Sequence, residues 1–254
     1  MMNEITEPIP KKVFVSWKRK DILEKELKIL KKGVQNIAKM NPDYEVIVYG
    51  DDDVEKYLIN HLSKEDYENI KDRYIVEKVD LWRLMIIYYE GGIYTDIDRY
   101  YNKPFSVLIG EQTSLVLPTF KDVDFSHDIM MSAPNNPIYK EAIRLNLERR
   151  KNGCKDIYYL GAKTYMNAVV KIFCKKDIST HHMPREFLTK IREDIKKSKH
   201  FETFVENPSG LTTFFDSLAD GVEHAEFHNT IYQKEKKELF NEYKLSRWGD
   251  HTNK

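Results

Sequence analysis

The first 110 residues alternate between short β-forming runs and longer segments with apolar residues at helical spacing. The runs 13–17 (VFVSW) and 44–49 (YEVIVY) predict two strands, because both are rich in β-branched and aromatic residues. Between them, segment 21–40 has apolar residues every three or four positions, which predicts a helix that Pro42 closes. Strands that alternate with helices are typical of an α/β domain with a parallel sheet.

Helical segments follow the second strand. Acidic residues after Gly50 and after Ser63 predict the starts of two short helices, the first running to Leu58. A long apolar helix over 71–90 should end at Gly91-Gly92, because the left-handed position at a helix C-terminus favours glycine. The pattern further predicts a strand at 114–117 and helices at 136–150, 161–173, 185–197 and 211–218.

Composition narrows the class of protein. A chain of 254 residues, 41% of them hydrophobic, can bury a sizeable core in one domain. Lys+Arg and Asp+Glu both number 41, which argues against a nucleic-acid partner. The two cysteines, Cys154 and Cys174, form no disulfide framework and are typical of a reducing cytosol. With no signal-peptide pattern and no apolar run near the roughly 18 residues of a membrane span, we expect a cytoplasmic protein, with peripheral membrane association left open.

Segment 90–100 (EGGIYTDIDRY) carries the most specific chemistry of the chain. On a strand, Tyr94, Asp96 and Asp98 would point to one face. Two converging carboxylates repel each other unless a cation lies between them, and Mg²⁺ is often held by one or two carboxylates plus substrate phosphates. The segment therefore predicts a metal–diphosphate site, with a solvated strand end as the alternative. An EF-hand loop does not fit, because Tyr101 stands where that loop needs glycine.

Three further positions bear on a ligand pocket. Asp80 and Arg83 lie on one face of an apolar helix, so they form either a salt bridge or a buried pair that holds sugar hydroxyls. Trp17 ends the first strand, where ligands of α/β sheets bind, and is either a core aromatic or a stacking platform for a nucleobase. The acidic run 51–53 fits a helix cap better than a site.

Together these motifs resemble glycosyltransferase family 32, a group of DxD enzymes that includes capsular-polysaccharide transferases and an initiating α-1,6-mannosyltransferase. IPKKVFVSW is similar to the opening of that family, and VDLWRLMIIYYEGGIYTDIDRYYNKPF to its central block. The same block is similar to the catalytic domain of the clostridial glucosylating toxins. The positions in register are Asp80, Arg83, Gly91, Gly92, Tyr94, Asp96, Asp98 and Pro104.

The resemblance implies a GT-A fold, with a Rossmann-like, mostly parallel central sheet flanked by helices and further helices in the C-terminal half. It also implies a retaining transfer from a nucleotide sugar in the presence of Mn²⁺ or Mg²⁺. The expected catalytic residues are Asp80, Arg83, Asp96 and Asp98; the expected donor contacts are Val15, Trp17, Asp80, Arg83, Tyr94 and Asp96; and the expected metal ligands are Asp96, Asp98 and His251.

The family's late motif is only partly matched here. Ser246, Trp248 and His251 stand in its place, which makes His251 the candidate third ligand. The resemblance divides a single domain, 1–254, into a nucleotide-sugar half at 1–110 and an acceptor-side, helical half at 111–254.

The resemblance to the glucosylating toxins implies a uridine diphosphate sugar rather than guanosine diphosphate mannose. The implied acceptor is a saccharide or other glycan, as in polysaccharide biosynthesis. Two other functions use the same carboxylates. One is a nucleotidyltransferase or phosphohydrolase, and the other is a non-catalytic nucleotide-sugar-binding protein.

Overall fold

The computed structural model describes residues 7–20, 28–107, 109–111, 113–120, 124–125, 127–175, 193, 214–216, 222–224, 234, 237–238 and 241. Their helices are α1 (Lys28–Met40), α2 (Asp51–His61), α3 (Lys64–Glu68), α4 (Ile75–Glu90), α5 (Pro137–Lys151), α6 (Ile157–Leu160) and α7 (Ala162–Cys174). Their strands are β1 (Lys12–Ser16), β2 (Glu45–Tyr49), β3 (Gly92–Thr95), β4 (Arg99–Tyr101), β5 (Leu115–Phe120), β6 (Asp124–Phe125), β7 (Ile129–Ser132), β8 (Phe214–Asp216) and β9 (Val222–His224).

Seven of these strands form one sheet in the order β2-β1-β3-β7-β5-β6, with β8 beside β5. Strand β1 runs parallel to both β2 and β3, which is the parallel unit that the sequence predicts. Beyond β3, strands β7, β5 and β6 pair antiparallel. The predicted α/β class is confirmed, and the antiparallel part is an addition to it. Strands β4 and β9 form a separate two-stranded sheet.

The sheet separates two hydrophobic clusters, because neighbouring residues of a strand point to opposite faces. On one face, Phe14 and Tyr94 pack with Trp82 of α4 and with residues of α2, α5 and α7. On the other face, Val15 and Ile93 pack with α1. Full burial of such a side chain contributes about 1.5–3 kcal/mol. The ends of β1 and β3 are therefore supported from both sides.

Helix α4 is largely buried and ends in a turn that requires glycine. Gly91 has φ 64° and Gly92 has φ 98°, a region that other residues rarely adopt. A Cβ atom at Gly91 would come within 2.7 Å of Pro134, and one at Gly92 within 2.7 Å of the Lys12 carbonyl oxygen. The predicted glycine stop is confirmed, and it leads the chain directly from α4 into β3.

The predicted helix at 211–218 is wrong at its centre. Phe214–Asp216 form β8, which pairs in parallel with β5. Paired aromatic residues suit a strand, and neighbouring strands decide such short segments more than local periodicity does.

The other helix predictions are close where residues are described. The long helix begins at Ile75 rather than at 71, and α1 is described only from Lys28. The predicted helix at 185–197 lies almost wholly outside the described residues, and so does the tail with Ser246, Trp248, Asp250 and His251. None of the helices in the described ranges has the length and apolarity needed to cross a bilayer.

Candidate active site

The carboxyl ends of three neighbouring strands, β2, β1 and β3, meet at one edge of the sheet. The residues that follow them include Asp51, Trp17 and Asp96, and α4 forms the adjoining wall. Together they line a pocket of about 240 Å³, in the place where open α/β sheets bind ligands. Its lining combines the charged side chains of Lys18, Asp51, Arg83, Asp96 and Asp98 with the aromatic Trp17 and apolar residues of α4.

The two DxD carboxylates lie on a turn. Strand β3 ends at Thr95, and the Arg99 N–H donates to the Asp96 carbonyl oxygen at 3.1 Å to close the turn. The Asp96 N–H donates to the Asp128 carbonyl oxygen at 2.8 Å. The prediction of one strand through Asp98 is therefore wrong, because the chain reverses before it. Both aspartates still line the pocket.

A buried arginine joins the carboxylates of this turn. The Arg99 guanidinium lies 2.5 Å from Asp98, 2.7 Å from Asp128 and 3.7 Å from Asp96, and its side chain is 7% exposed. Burial alone would lower the pKa of Arg99, but these three carboxylates outweigh it and raise the pKa above the ordinary value. Arg99 therefore stays cationic and offsets part of the negative charge of the turn. No sequence signal predicts Asp128, which arrives from the loop before β7.

The predicted Asp80–Arg83 pair is buried and faces the same end of the pocket. Arg83 lies 2.7 Å from Asp80 Oδ1, and both side chains are less than 9% exposed. His127 Nε2 lies 3.6 Å from the same oxygen. Burial opposes ionisation of Asp80, but Arg83 and His127 outweigh it and hold the pKa of Asp80 below its usual value. His127 is a member of this cluster that no spacing in the sequence predicts.

Arg83 also links Asp80 to the DxD turn. One of its terminal nitrogens lies 3.6 Å from Asp96 Oδ1 and donates to the His127 carbonyl oxygen at 3.2 Å. The Tyr94 hydroxyl donates to Asp96 Oδ1 at 2.6 Å, and the guanidinium lies 4.8 Å from the Tyr94 ring centre. Among the described residues, the buried Arg83 Nε has no hydrogen-bond partner. An orphaned donor at a pocket wall is the kind of group that a polar ligand satisfies.

The other end of the pocket is formed after β1 and β2. Trp17 is half-buried and lines the pocket, and its backbone N–H donates to the Tyr49 carbonyl oxygen at 3.0 Å. The Val15 side chain is fully buried in the cluster beneath the opposite face of the sheet. The Val15 side chain therefore faces away from the pocket, and strand alternation turns Ser16 toward it. The expected contact of Val15 with the donor stays a prediction.

Two residues of the acidic run after β2 have different roles, since Asp53 caps helix α2 and Asp51 lines the pocket. Asp53 Oδ2 accepts from the Gly50 N–H at 2.8 Å and pairs with Lys20 at 2.9 Å, so the helix-cap interpretation holds for Asp53. Asp51 instead lines the pocket. Burial, reinforced by Asp52 and opposed by Lys18, raises the pKa of Asp51 to about 6.

The donor set suits a hard divalent cation that shares its coordination with a ligand. Within the described ranges, no three or more His, Cys, Asp or Glu side chains cluster closely enough to hold a metal by themselves. Asp96 and Asp98 offer two carboxylates, which matches Mg²⁺ or Mn²⁺ completed by water and phosphate oxygens. The third predicted ligand, His251, lies outside the described residues.

Comparison with known proteins agrees with this geometry. Residues 28–115 match the family model described as the glycosyltransferase sugar-binding region containing the DXD motif, which confirms the predicted resemblance for that segment. The PaToxG glycosyltransferase superposes with a TM-score of 0.54 at 20% identity, over 92% of this chain and 88% of that one. The shared architecture confirms the GT-A type of fold.

Curated relatives match over more than half of this chain. Inositol phosphoceramide mannosyltransferase 1 of Schizosaccharomyces pombe is 26% identical over 140 residues, 54% of this chain and 42% of that protein. Mannosyl phosphorylinositol ceramide synthase SUR1 of Saccharomyces cerevisiae is 28% identical over 145 residues, 54% of this chain and 34% of that protein. A toxin of Photorhabdus asymbiotica is 27% identical over 190 residues, 61% of this chain and 6% of the toxin. The chain spans less than half the length of each.

Proposed function

We propose that this chain, whose residues 28–115 match a DXD sugar-binding region, transfers a hexose from a nucleoside diphosphate sugar to a hydroxyl group of a saccharide or other glycan. The observation that carries the proposal is the linked chain Asp80–Arg83–Asp96 at the pocket end that also holds Asp98. Both fungal relatives are named for mannosyl transfer, which supports mannose as the hexose.

The DxD turn is the proposed diphosphate end of the site. Asp96 and Asp98 would hold Mn²⁺ or Mg²⁺, which supplies Lewis-acid stabilisation of the departing diphosphate when bound. Arg99 contacts both carboxylates, and its positive charge offsets part of their negative charge. Their electrostatic repulsion of the phosphates is reduced accordingly. Groups fixed before the reaction in a site that excludes water are the usual source of the largest electrostatic contribution.

The buried pair on α4 is the proposed sugar end. Asp80 would accept hydrogen bonds from sugar hydroxyls, and the Arg83 Nε–H is a donor without a described partner. Because Arg83 also lies 3.6 Å from Asp96, the sugar and the metal-binding turn are held in one rigid unit. Holding the sugar and the diphosphate in a fixed relative geometry lowers the entropic part of the activation barrier and raises the rate of transfer.

The same contacts favour retention of the anomeric configuration by front-face attack. Asp80 forms an ion pair with Arg83, and Asp96 accepts a hydrogen bond from Tyr94. We therefore assign neither carboxylate as a nucleophile that attacks the anomeric carbon. The acceptor hydroxyl would bond to the anomeric carbon on the face that the diphosphate leaves, and its proton would pass to a phosphate oxygen. We assign acceptor binding to the half at 111–254.

A screen of nucleotide sugars for Mn²⁺-dependent hydrolysis, followed by NMR of the product from the best donor and a panel of saccharide and glycolipid acceptors, tests the proposal. We expect release of free sugar without an acceptor and an α-linked product from an α-linked donor. An inverted product would refute front-face retention.

The two alternative functions give different products in the same screen. A nucleotidyltransferase or phosphohydrolase would transfer or release a nucleoside monophosphate or phosphate rather than a sugar. A non-catalytic binding protein would be stabilised by nucleotide sugars without turning any of them over.

A further inference from the structure

The Asp51 carboxylate lies at the end of the pocket opposite the DxD turn. In the strand order β2-β1-β3, Asp51 follows β2 and the DxD turn follows β3, so two interstrand spacings, about 10 Å, separate them. Helix α4 lines the same pocket with Val76, Val79 and Arg83. A nucleoside diphosphate with its phosphates at the DxD turn therefore brings its base to Asp51.

The surroundings of Asp51 suit a flat ring. Trp17 follows the neighbouring strand β1, and Val76 and Val79 of α4 line the same pocket. An indole ring and branched aliphatic side chains are the usual surfaces on which a base packs. The Asp51 N–H donates to the Lys18 carbonyl oxygen at 3.2 Å, which fixes the backbone of Asp51 beside Trp17.

The carboxylate itself has unused hydrogen-bonding capacity. Unlike Asp53, which holds the Gly50 N–H and Lys20, Asp51 has no hydrogen bond or ion pair from its carboxylate to any described residue. It is also partly withdrawn from water, which is why its pKa lies near 6. An acceptor that is partly withdrawn from water and has no hydrogen bond to a described residue gains more from a ligand that donates to it than a fully exposed carboxylate does.

The nucleobases differ in what they offer such an acceptor. Guanine presents two adjacent donors, N1–H and the N2 amino group, which match the two oxygens of one carboxylate. Uracil presents a single N3–H between two carbonyl oxygens, and adenine and cytosine each place one amino group beside an acceptor nitrogen. A carboxylate can therefore form paired, charge-assisted hydrogen bonds only with guanine.

We infer that Asp51 binds the N1–H and N2–H edge of guanine and selects a guanosine diphosphate sugar as the donor. The inference rests on the proposed function and names the carrier nucleotide of the same site. It differs from the uridine carrier that the resemblance to the glucosylating toxins implies.

Calorimetric titration of the full chain with GDP and UDP in the presence of Mn²⁺ tests the assignment. We expect the wild type to bind GDP about ten- to a hundredfold more tightly than UDP, the discrimination typical of one bidentate contact to a base. In Asp51→Asn, one oxygen becomes a donor, which clashes with the guanine amino group and matches the N3–H and carbonyl edge of uracil. The variant should lose GDP affinity and gain UDP affinity.

The matched control is Asp52→Asn, an exposed change in the same acidic run, which should leave both affinities unchanged. A second measurement needs no variant. The wild-type ratio of GDP to UDP affinity should fall below about pH 6 as Asp51 takes up a proton. Titration of the phosphates affects both nucleotides alike and cancels in the ratio.

Tighter binding of UDP by the wild type, or an equal loss of both affinities in Asp51→Asn, would overturn the assignment. Metal-dependent hydrolysis of a uridine diphosphate sugar alongside either result would leave the transferase proposal intact. Failure of both nucleotides and of all nucleotide sugars to bind would defeat the proposed function and this inference together.

Discussion

Gly161 lies directly against the carboxylate of Asp80. A Cβ atom at Gly161 would stand 2.6 Å from Asp80 Oδ2, closer than any side chain tolerates. The residue between α6 and α7 therefore supports the proposed sugar-binding carboxylate from behind. The position of Asp80 depends on the C-terminal part of the domain as well as on its own helix.

Replacing Gly161 with alanine should displace Asp80 and reduce sugar transfer about a hundredfold, the loss typical of a misplacement near 1 Å. Single-turnover measurement of donor hydrolysis checks it. Tyr158→Ala is the control, because Tyr158 is exposed on the adjoining helix α6 and should leave the rate unchanged. A fully active Gly161→Ala protein would show that Asp80 does not need its present position.

Arg99→Gln should lower the free energy of unfolding by about 3–5 kcal/mol, because it leaves buried carboxylates without their cation. The matched control is Arg144→Gln. Arg144 also contacts two carboxylates, Glu141 and Glu148, but is 49% exposed, so we expect at most about 1 kcal/mol. Urea unfolding measures both. Equal losses in the two variants would contradict the structural importance of the buried contact.

Added Mn²⁺ should raise the melting temperature of the Arg99→Gln variant more than that of the wild type. The metal ion would then supply positive charge that the variant lacks at Asp98 and Asp96. Thermal unfolding with and without Mn²⁺ measures the difference, and Mg²⁺ and Ca²⁺ show how selective it is. A smaller shift in the variant would indicate that Arg99 is needed to hold the ligands in place.

Asp98→Asn should reduce metal-dependent hydrolysis of the donor by about a hundred- to a thousandfold, because one anionic ligand is lost where charge develops in the transition state. The measurement is a rate as a function of Mn²⁺ concentration, with the Mn²⁺-induced thermal shift as a second readout. Intact hydrolysis with an unchanged Mn²⁺ dependence would place the metal elsewhere.

Asp51→Asn should stabilise the ligand-free protein above about pH 6. Burial raises the folded-state pKa of Asp51 from 3.8 to about 6, so ionisation penalises the folded state fully above pH 6 and not at all below about pH 4. The gain should be on the order of 1 kcal/mol after allowance for partial exposure, and it should vanish near pH 4. Thermal unfolding at several pH values measures it, and a gain that is the same at every pH would contradict this origin.

The local parts of the site are predictable from the sequence because spacing along one helix and one turn determines them. Asp80 and Arg83 share a face of α4, and Gly91-Gly92 carries the chain from α4 into β3 and on to Asp96. The resemblance identifies the same residues. Only the strand through Asp98 is misjudged, since alternation does not reveal where a strand turns.

The remaining contributors come together through distant pairings. Asp128 and His127 reach the site because β7 pairs antiparallel with β3. The local sequence pattern of either strand does not predict this pairing. The acidic run after β2 contains a cap and a pocket residue side by side, and composition alone does not separate Asp53 from Asp51.

Helix α4 sets how Val79 and Arg83 are placed relative to each other on the pocket wall. Each residue advances the helix by 1.5 Å and turns it by about 100°. A single residue inserted between Val79 and Arg83 would leave every motif recognisable in the sequence, yet it would turn Arg83 about 100° away from the helix face that Val79 presents to the pocket. Relatives of this chain that bind an equally long carrier should therefore vary in their loops while this interval keeps its length.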